Sequence, residues 1–178
     1  VVLSGEGGDE LFGGYGRYRS VMRPMWLGGR AMRAKGQLEG LGVLRDQGPA
    51  WRDGIVATER RLAEVAGTRL QRAQAIDCTD WLPNDLMIKL DRCLLAHGVE
   101  GRVPLLDPMV AAASFRLPDE LKISRGVGKY LLRKWLDSQI PEANAFGRKW
   151  APTVPVGEWI AAQGAALGPL VARVEGVQ

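Results

Sequence analysis

Val1-Val2-Leu3-Ser4-Gly5-Glu6-Gly7-Gly8-Asp9-Glu10-Leu11-Phe12-Gly13-Gly14-Tyr15 opens the chain, and its reading decides the rest. Three apolar residues predict the end of a buried strand. Ser4 to Gly8 then predict a tight glycine-rich turn, and Asp9-Glu10-Leu11-Phe12 the start of a helix. Such a strand–turn–helix presents backbone N–H groups at the helix N-terminus, where an anion is favoured. Glu6, Asp9 and Glu10 place three carboxylates within the same few residues. They repel one another and call for a cation, and a hard divalent ion such as Mg²⁺ takes oxygen ligands. Phosphate and magnesium together point to a nucleotide.

Beyond this stretch, 178 residues suffice for one domain with a core, and 46% hydrophobic with 25% charged residues is ordinary globular composition. Lys and Arg number 24 against 20 acidic residues, a net charge of +4. The basic residues are scattered, which favours a solvated surface over a nucleic-acid face. No apolar run approaches the roughly 20 residues of a membrane span, and no signal peptide opens the chain. The absence of an initiator Met, together with a start inside a strand, predicts a fragment of a longer chain cut just before its turn. Cys78 and Cys93 show neither CxxC nor metal spacing, so reduced, buried thiols of a cytoplasmic protein are expected.

Along the chain, Tyr15 to Met22 continues as helix until Pro24. Residues 28–54 are glycine-rich and read as short helices joined by loops. Thr58 is placed to cap a helix over Glu59 to Ala66, and Arg69 to Thr79 suggests another. Pro83 sits where a first helical turn accepts it, ahead of a helix over Asp85 to His97. Leu82, Leu86, Leu90 and Leu94 form its apolar stripe, widened by Met87, Cys93 and Ala96, and Asp85 and Lys89 form an i,i+4 pair. Gly98 ends it. Asp107-Pro108 restarts a helix to about Arg116, Leu117 to Glu120 turns, and helices are expected from Lys129 to about Ser138, briefly from Pro141, and from about Gly157 to Gly164. The tryptophans, Trp81, Trp135 and Trp159 among them, read as core. By composition the chain is mostly helical, with one strand at its N-terminus.

The string Ser-Gly-Glu-Gly-x-Asp-Glu-Leu-Phe-Gly-Gly-Tyr resembles the signature of the synthetase domain of glutamine-dependent asparagine synthetases, a branch of the ATP-pyrophosphatase group. The resemblance returns at Trp81-Leu82-Pro83-Asn84-Asp85 through Lys89-Leu90-Asp91-Arg92, and again from Ala96 through Gly101-Arg102 to Asp107. It reappears at Gly128-Lys129-Tyr130-Leu131-Leu132-Arg133, at Arg148-Lys149, and at Val154-Pro155-Val156-Gly157-Glu158-Trp159. It therefore runs from residue 1 to about 160. It implies that residues 1–178 are the C-terminal part of one synthetase domain of α/β class (adenine nucleotide alpha hydrolase-like), with Val1-Val2-Leu3 as one strand of a parallel sheet. It further implies an ATP- and Mg²⁺-dependent ligase, in which ATP activates the aspartate side chain as an acyl-adenylate that ammonia from a glutaminase domain attacks. No nucleic acid or membrane enters, and a full-length homodimer is admitted.

The same resemblance assigns site residues. Ser4, Gly5 and Gly7 would meet the nucleotide, and Asp9 would ligate magnesium, a geometry that also suits a helix cap. Glu6 would stand beside the adenylate, and Lys129 would reach the phosphates or a developing oxyanion, with Arg133 one turn later assisting. A lysine at a helix N-terminus opposes the macrodipole and requires an anion nearby. Asp91, Glu100 and Arg102 would line the amino-acid pocket, with Arg102 and Asp107 also readable as an ion pair. Glu10 is read as supporting the helix N-terminus and His97 as capping a helix end. The Ser-Gly-Gly-x-Asp-Ser phosphate turn and the glutaminase cysteine do not occur in the chain, so the isolated 178 residues are expected to be inactive. Trp150-Ala151-Pro152-Thr153 replaces a Gln-Gly-Phe-like run. Amide-forming cyclases of peptide or β-lactam type are the neighbouring reading, the latter opposed by Glu6 where that branch carries tyrosine. A non-catalytic domain retaining the fold is the alternative of another class.

Overall fold

The computed structural model describes residues 1–33, 42, 52–64, 67–147 and 154–174. The chain divides into two units, Val1–Ala34 with Gly54–Phe146, and Lys35–Asp53 with Gly147–Gln178. Most of the glycine-rich stretch 28–54, and Arg148 to Thr153, lie outside the described residues.

In the first unit, β1 (Val2–Leu3) pairs in parallel with β2 (Gly101–Arg102), Val2 opposite Gly101 and Leu3 opposite Arg102. A parallel pair needs a long crossover, and the helices between the two strands supply it. The strand is not buried as expected: Val1 and Leu3 are 83% and 73% exposed, since little of the described chain covers them. Nor is β1 the only strand. β3 (Ile123–Ser124) and β4 (Val127–Gly128) form an antiparallel hairpin. Arg125 and Gly126, at φ +49° and +80°, supply the left-handed two-residue turn that matches strand twist.

The helices mostly follow the sequence. α1 (Gly8–Phe12) is short and α2 (Gly16–Met22) stops before Pro24, whose ring disfavours helix in the preceding residue. α3 (Asp53–Ala63) begins earlier than Thr58, which is interior to it; Asp53 supplies the acidic first turn instead. α4 (Arg69–Ile76) starts at a full capping box, with Thr68 accepting from the Gln71 N–H and Gln71 accepting from the Thr68 N–H. The helix does not stop there. A wide, π-type segment over Asp77–Met87 carries it into α5 (Ile88–Leu95), so Pro83 lies within the helix rather than at its start. The wider turn carries the i−4 carbonyl away from the proline ring. Asn84 donates at 2.9 Å to the Asp80 carbonyl nearby.

The leucine stripe behaves as expected. Leu82 is buried, and Leu90 and Leu94 press on Gly101, where a Cβ would stand 2.8 Å from Leu94 Cδ1. The Lys89–Asp85 pair forms at 2.5 Å. Cys93, by contrast, is exposed on the outer side of α5, so burial fails for one thiol; Cys78 is half-buried, and burial pushes its thiol up to about 12. Asp107 caps α6 (Pro108–Arg116), accepting from the Met109 N–H at 2.8 Å. The predicted turn after it winds into α7 (Asp119–Lys122), and α8 (Tyr130–Gln139) and a 3₁₀ turn at Pro141–Ala143 follow.

The core gathers Tyr18, Met32, Ile55, Leu70, Ala73 and Ile76 from α2, α3, α4 and the segment after α2. Beside it lies a charged knot. Asp77, fully buried, accepts from Arg17 Nε and Nη2 at 2.9 and 2.7 Å, from the Tyr18 hydroxyl at 2.6 Å and from Arg33 Nη2 at 2.7 Å. Trp81 is half-buried beneath Arg33, whose guanidinium stands 4.6 Å from its ring. Trp135 and Trp159 are not core: at 62% and 59% exposure each presents its ring outward from a short helix. In the second unit α9 (Val156–Ala162) and α10 (Gly164–Val171) replace the single helix expected there, separated at Gln163.

Candidate functional site

The turn after β1 relies on glycine where it enters α1. Gly7 caps α1 at φ +85°, and a Cβ there would meet Leu106 Cδ2 at 2.2 Å. The Gly8 N–H closes the turn onto the Gly5 carbonyl at 3.2 Å, and the Leu11 N–H bonds the Gly7 carbonyl at 2.8 Å. The Ser4 N–H is held by the Arg102 carbonyl at 2.8 Å and the Val2 N–H by the Glu100 carbonyl at 2.9 Å, so β2 fixes the direction in which the turn leaves the sheet.

Lys129 reaches this turn from the far end of the unit. It caps α8 in the left-handed region, φ +55°, while its N–H donates to the Phe12 carbonyl at 3.0 Å. The approach requires Gly128, where a Cβ would stand 2.4 Å from the Gly13 carbonyl oxygen. From there the Lys129 ammonium extends over Gly14 and meets Asp9 Oδ2 at 3.0 Å, both side chains about a quarter exposed at 27% and 23%. Gly14 is the floor of that contact: a Cβ on it would lie 1.9 Å from Asp9 Oδ1 and 2.5 Å from Lys129 Cε. The anion that the helix dipole demands beside Lys129 is thus a carboxylate of the same protein. Glu6, partly exposed on the turn, has its carboxyl held above the ordinary range. Burial is the largest cause, then the charges of Glu10 and Asp9, with Lys129 pulling the other way.

Ser4, Gly5, Glu6, Gly7, Asp9 and Lys129 therefore come together. Other expected members do not join them through their side chains. Arg133 donates from Nε to the Gly128 carbonyl at 3.1 Å and from Nη1 to the Ala145 carbonyl, fastening the backbone on either side of α8. Arg102 pairs with Glu100 at 2.9 Å on an exposed surface, not with Asp107, whose carboxylate caps α6. Asp91 is exposed on α5. Glu10 stands in the first turn of α1 as expected, but buried, and its Oε1 accepts from the Tyr15 hydroxyl at 2.6 Å. His97 is exposed past the end of α5, where its backbone N–H bonds the Leu94 carbonyl at 3.0 Å. Among the described residues, no three His, Cys, Asp or Glu side chains converge as a metal cage.

Sequence reasoning overlooked Gln74 and Lys122, both fully buried beneath α1. A signal was present. Leu70, Ala73, Gln74 and Asp77 fall on one helical face, and a polar residue within an apolar stripe marks a buried hydrogen-bonding position.

The chain matches the family model described as asparagine synthase over residues 1–172. A Mycobacterium tuberculosis protein named "Putative asparagine synthetase (glutamine-hydrolyzing)" is 34% identical over 200 residues, covering 91% of this chain and 31% of the relative. Asparagine synthetase (glutamine-hydrolyzing) 1 of Bacillus subtilis is 31% identical over 201 residues, covering 90% of this chain and 31% of the relative. This chain spans about a third of the length of these curated relatives. No solved structure matches it significantly.

Proposed function

The chain belongs to the asparagine synthase family, and from that premise we propose that it carries the turn and lysine of a site where ATP activates the side-chain carboxylate of aspartate and ammonia displaces AMP to give asparagine. The observation that carries the reading is the cluster of Asp9, Lys129 and Glu6 around a glycine-walled turn. The reaction has two demands, to neutralise phosphate charge and to manage the proton of the incoming amine. Lys129 answers the first with an ammonium beside backbone donors at a helix N-terminus. Glu6, whose raised carboxyl takes up a proton more readily than a free side chain, answers the second.

Asp9 fits Mg²⁺ as a single carboxylate ligand, since that ion is commonly held by one or two carboxylates with phosphate oxygens and water completing its shell. When bound, the ion would screen phosphate charge during adenylation. Ser4, Gly5 and Gly7 would bear on the nucleotide through hydroxyl and backbone. Arg133 would act by holding Gly128, and Asp91, Glu100 and Arg102 would face the amino acid. The parallel β1–β2 pair supports an adenine nucleotide alpha hydrolase-like sheet for the domain to which residues 1–178 would contribute the C-terminal part. Ammonia would come from a glutaminase domain, the working protein would be cytoplasmic and admit a homodimer, and no described helix is long and apolar enough to cross a membrane.

The test separates the two steps in the protein that carries this chain. Isotope exchange between pyrophosphate and ATP, dependent on aspartate, reports activation; asparagine release reports both steps. Lys129→Met is expected to depress exchange about 10²- to 10³-fold, the usual loss for one well-placed electrostatic contact. Glu6→Gln is expected to reduce asparagine release more than exchange. Equal depression of both by both substitutions would sink the division of labour, and wild-type protein without aspartate-dependent exchange would sink the reading itself.

A further inference from the structure

α1 is only five residues long, so its last carbonyls have no partners within the helix. The Asp9 carbonyl is met by the Gly14 N–H at 2.8 Å and by the Gly13 N–H. The rest are met from elsewhere. Gln74 Nε2 donates to the Glu10 carbonyl at 2.6 Å and to the Leu11 carbonyl at 2.7 Å. The Ser114 hydroxyl also donates to the Leu11 carbonyl, and the Lys129 N–H takes Phe12. Behind Gln74 stands Lys122, fully buried, whose Nζ donates to Gln74 Oε1 at 2.8 Å.

An ammonium can only donate, so it fixes which end of the amide faces it. With Oε1 turned to Lys122, both Nε2 hydrogens point at α1. Burial lowers the Lys122 pKa, so the cation is held there at a cost. The charge of Asp119 offsets part of that cost, and the Lys122 stem lies beside the end of α1, where a Cβ on Gly13 would stand 3.5 Å from Lys122 Cβ.

We propose that Gln74 and Lys122 are positioning residues: a buried cation orients an amide that grips the last carbonyls of α1 and so holds Glu6 and Asp9 in register with Lys129. The proposal rests on the synthetase reading above, and its test contains a measurement that does not. Gln74→Met with Lys122→Met replaces both partners by apolar side chains of similar length, so neither Gln74 nor Lys122 is left as an unpaired buried group, while the Glu10 carbonyl loses its donor and the Leu11 carbonyl keeps Ser114. Exchange of the Leu11, Gly13 and Gly14 amides is expected to quicken about tenfold to a hundredfold, with the α8 amides unchanged. The kcat of ATP–pyrophosphate exchange is expected to fall about 10²-fold with KM for ATP within about threefold, because displacing reacting groups by about 1 Å has that effect.

Ser114→Ala removes one donor alone and should shift the same amides and kcat by an intermediate factor; it decides the matter if the double variant does not fold. Wild-type protection of α1 in these variants would overturn the proposal. Lost protection with unchanged kcat would overturn it too, since α1 would then be held for stability alone. If the wild-type protein shows no exchange activity, the synthetase reading fails, and α1 protection still decides whether the grip exists.

Discussion

Gly14→Ala offers a way to move the site without altering any charged residue in it. The backbone at Gly14 is not left-handed, so an added methyl strains no dihedral; its whole effect is steric. The methyl would stand 1.9 Å from Asp9 Oδ1 and 2.5 Å from Lys129 Cε, where ordinary contact begins near 3.4 Å. Asp9 must therefore retreat by roughly 1.5 Å or swing its carboxylate away, and Lys129 must lift off with it. Both are side-chain ends, so the stability loss should be about 1 kcal/mol, at the low end for overpacking. Activity should suffer far more. A misplacement of about 1 Å at reacting groups costs about 10²-fold, so ATP–pyrophosphate exchange should fall by about that factor while the unfolding midpoint moves only a few degrees. Gly54→Ala in α3, where an added Cβ meets nothing within 4 Å, is the control: unchanged exchange, and stability raised by about 0.5 to 1 kcal/mol. A folded Gly14→Ala protein with wild-type exchange would refute the claim that the Asp9–Lys129 placement matters to activation.

Asp77→Ala should destabilise by about 3 to 5 kcal/mol in chemical denaturation, because Arg17 and Arg33 would be left as half-buried cations without their shared carboxylate. Asp9→Asn should raise the Mg²⁺ concentration needed for half-maximal exchange, having lost one hard anionic oxygen; an unchanged Mg²⁺ titration would leave Asp9 only as the partner of Lys129. For Glu6, the folded carboxyl binds its proton more tightly than the unfolded one, so ionised Glu6 disfavours folding above its raised pKa and ceases to do so as pH falls through it. Glu6→Gln should therefore melt higher than wild type at pH 7 to 8, with the gap closing as pH drops toward the ordinary value of 4.5.

The turn was legible in the sequence because apolar residues, then a glycine-rich stretch, then an acidic helix start leave few alternatives; in the structure Gly7 takes a positive φ there, and Leu11 and Phe12 are buried. The Asp107-Pro108 cap and the leucine stripe were legible for the same local reason. The exposed β1 and the outward tryptophans were not, since hydrophobicity tells which residues favour burial and not what lies over them. Pro83 misled because a wide helical turn tolerates what a regular one rejects. Lys129 was recognisable as needing an anion, but only the fold shows that Asp9 supplies it, across Gly14 and against Gly128. Arg102 found Glu100 nearer than Asp107, which had already bonded the first turn of α6. Arg133, read as assisting Lys129 from one turn later, holds two backbone carbonyls, a use that carries no spacing signature.

The brevity of α1 bears on how the molecule comes to be. Five residues are too few to persist as a helix in water, so the signature stretch cannot adopt its shape by itself. Its carbonyls are met by Gln74, 63 residues on, and by Ser114, 103 residues on. Closing loops of that size is slow and entropically unfavourable until the later segments have collapsed. The glycine turn is thus among the last parts of this unit to be organised, since it waits for the lysine and hairpin that complete it. Substitutions at Gln74, Ser114 or Gly128 should therefore slow the arrival of a competent site during refolding, even where the finished protein tolerates them.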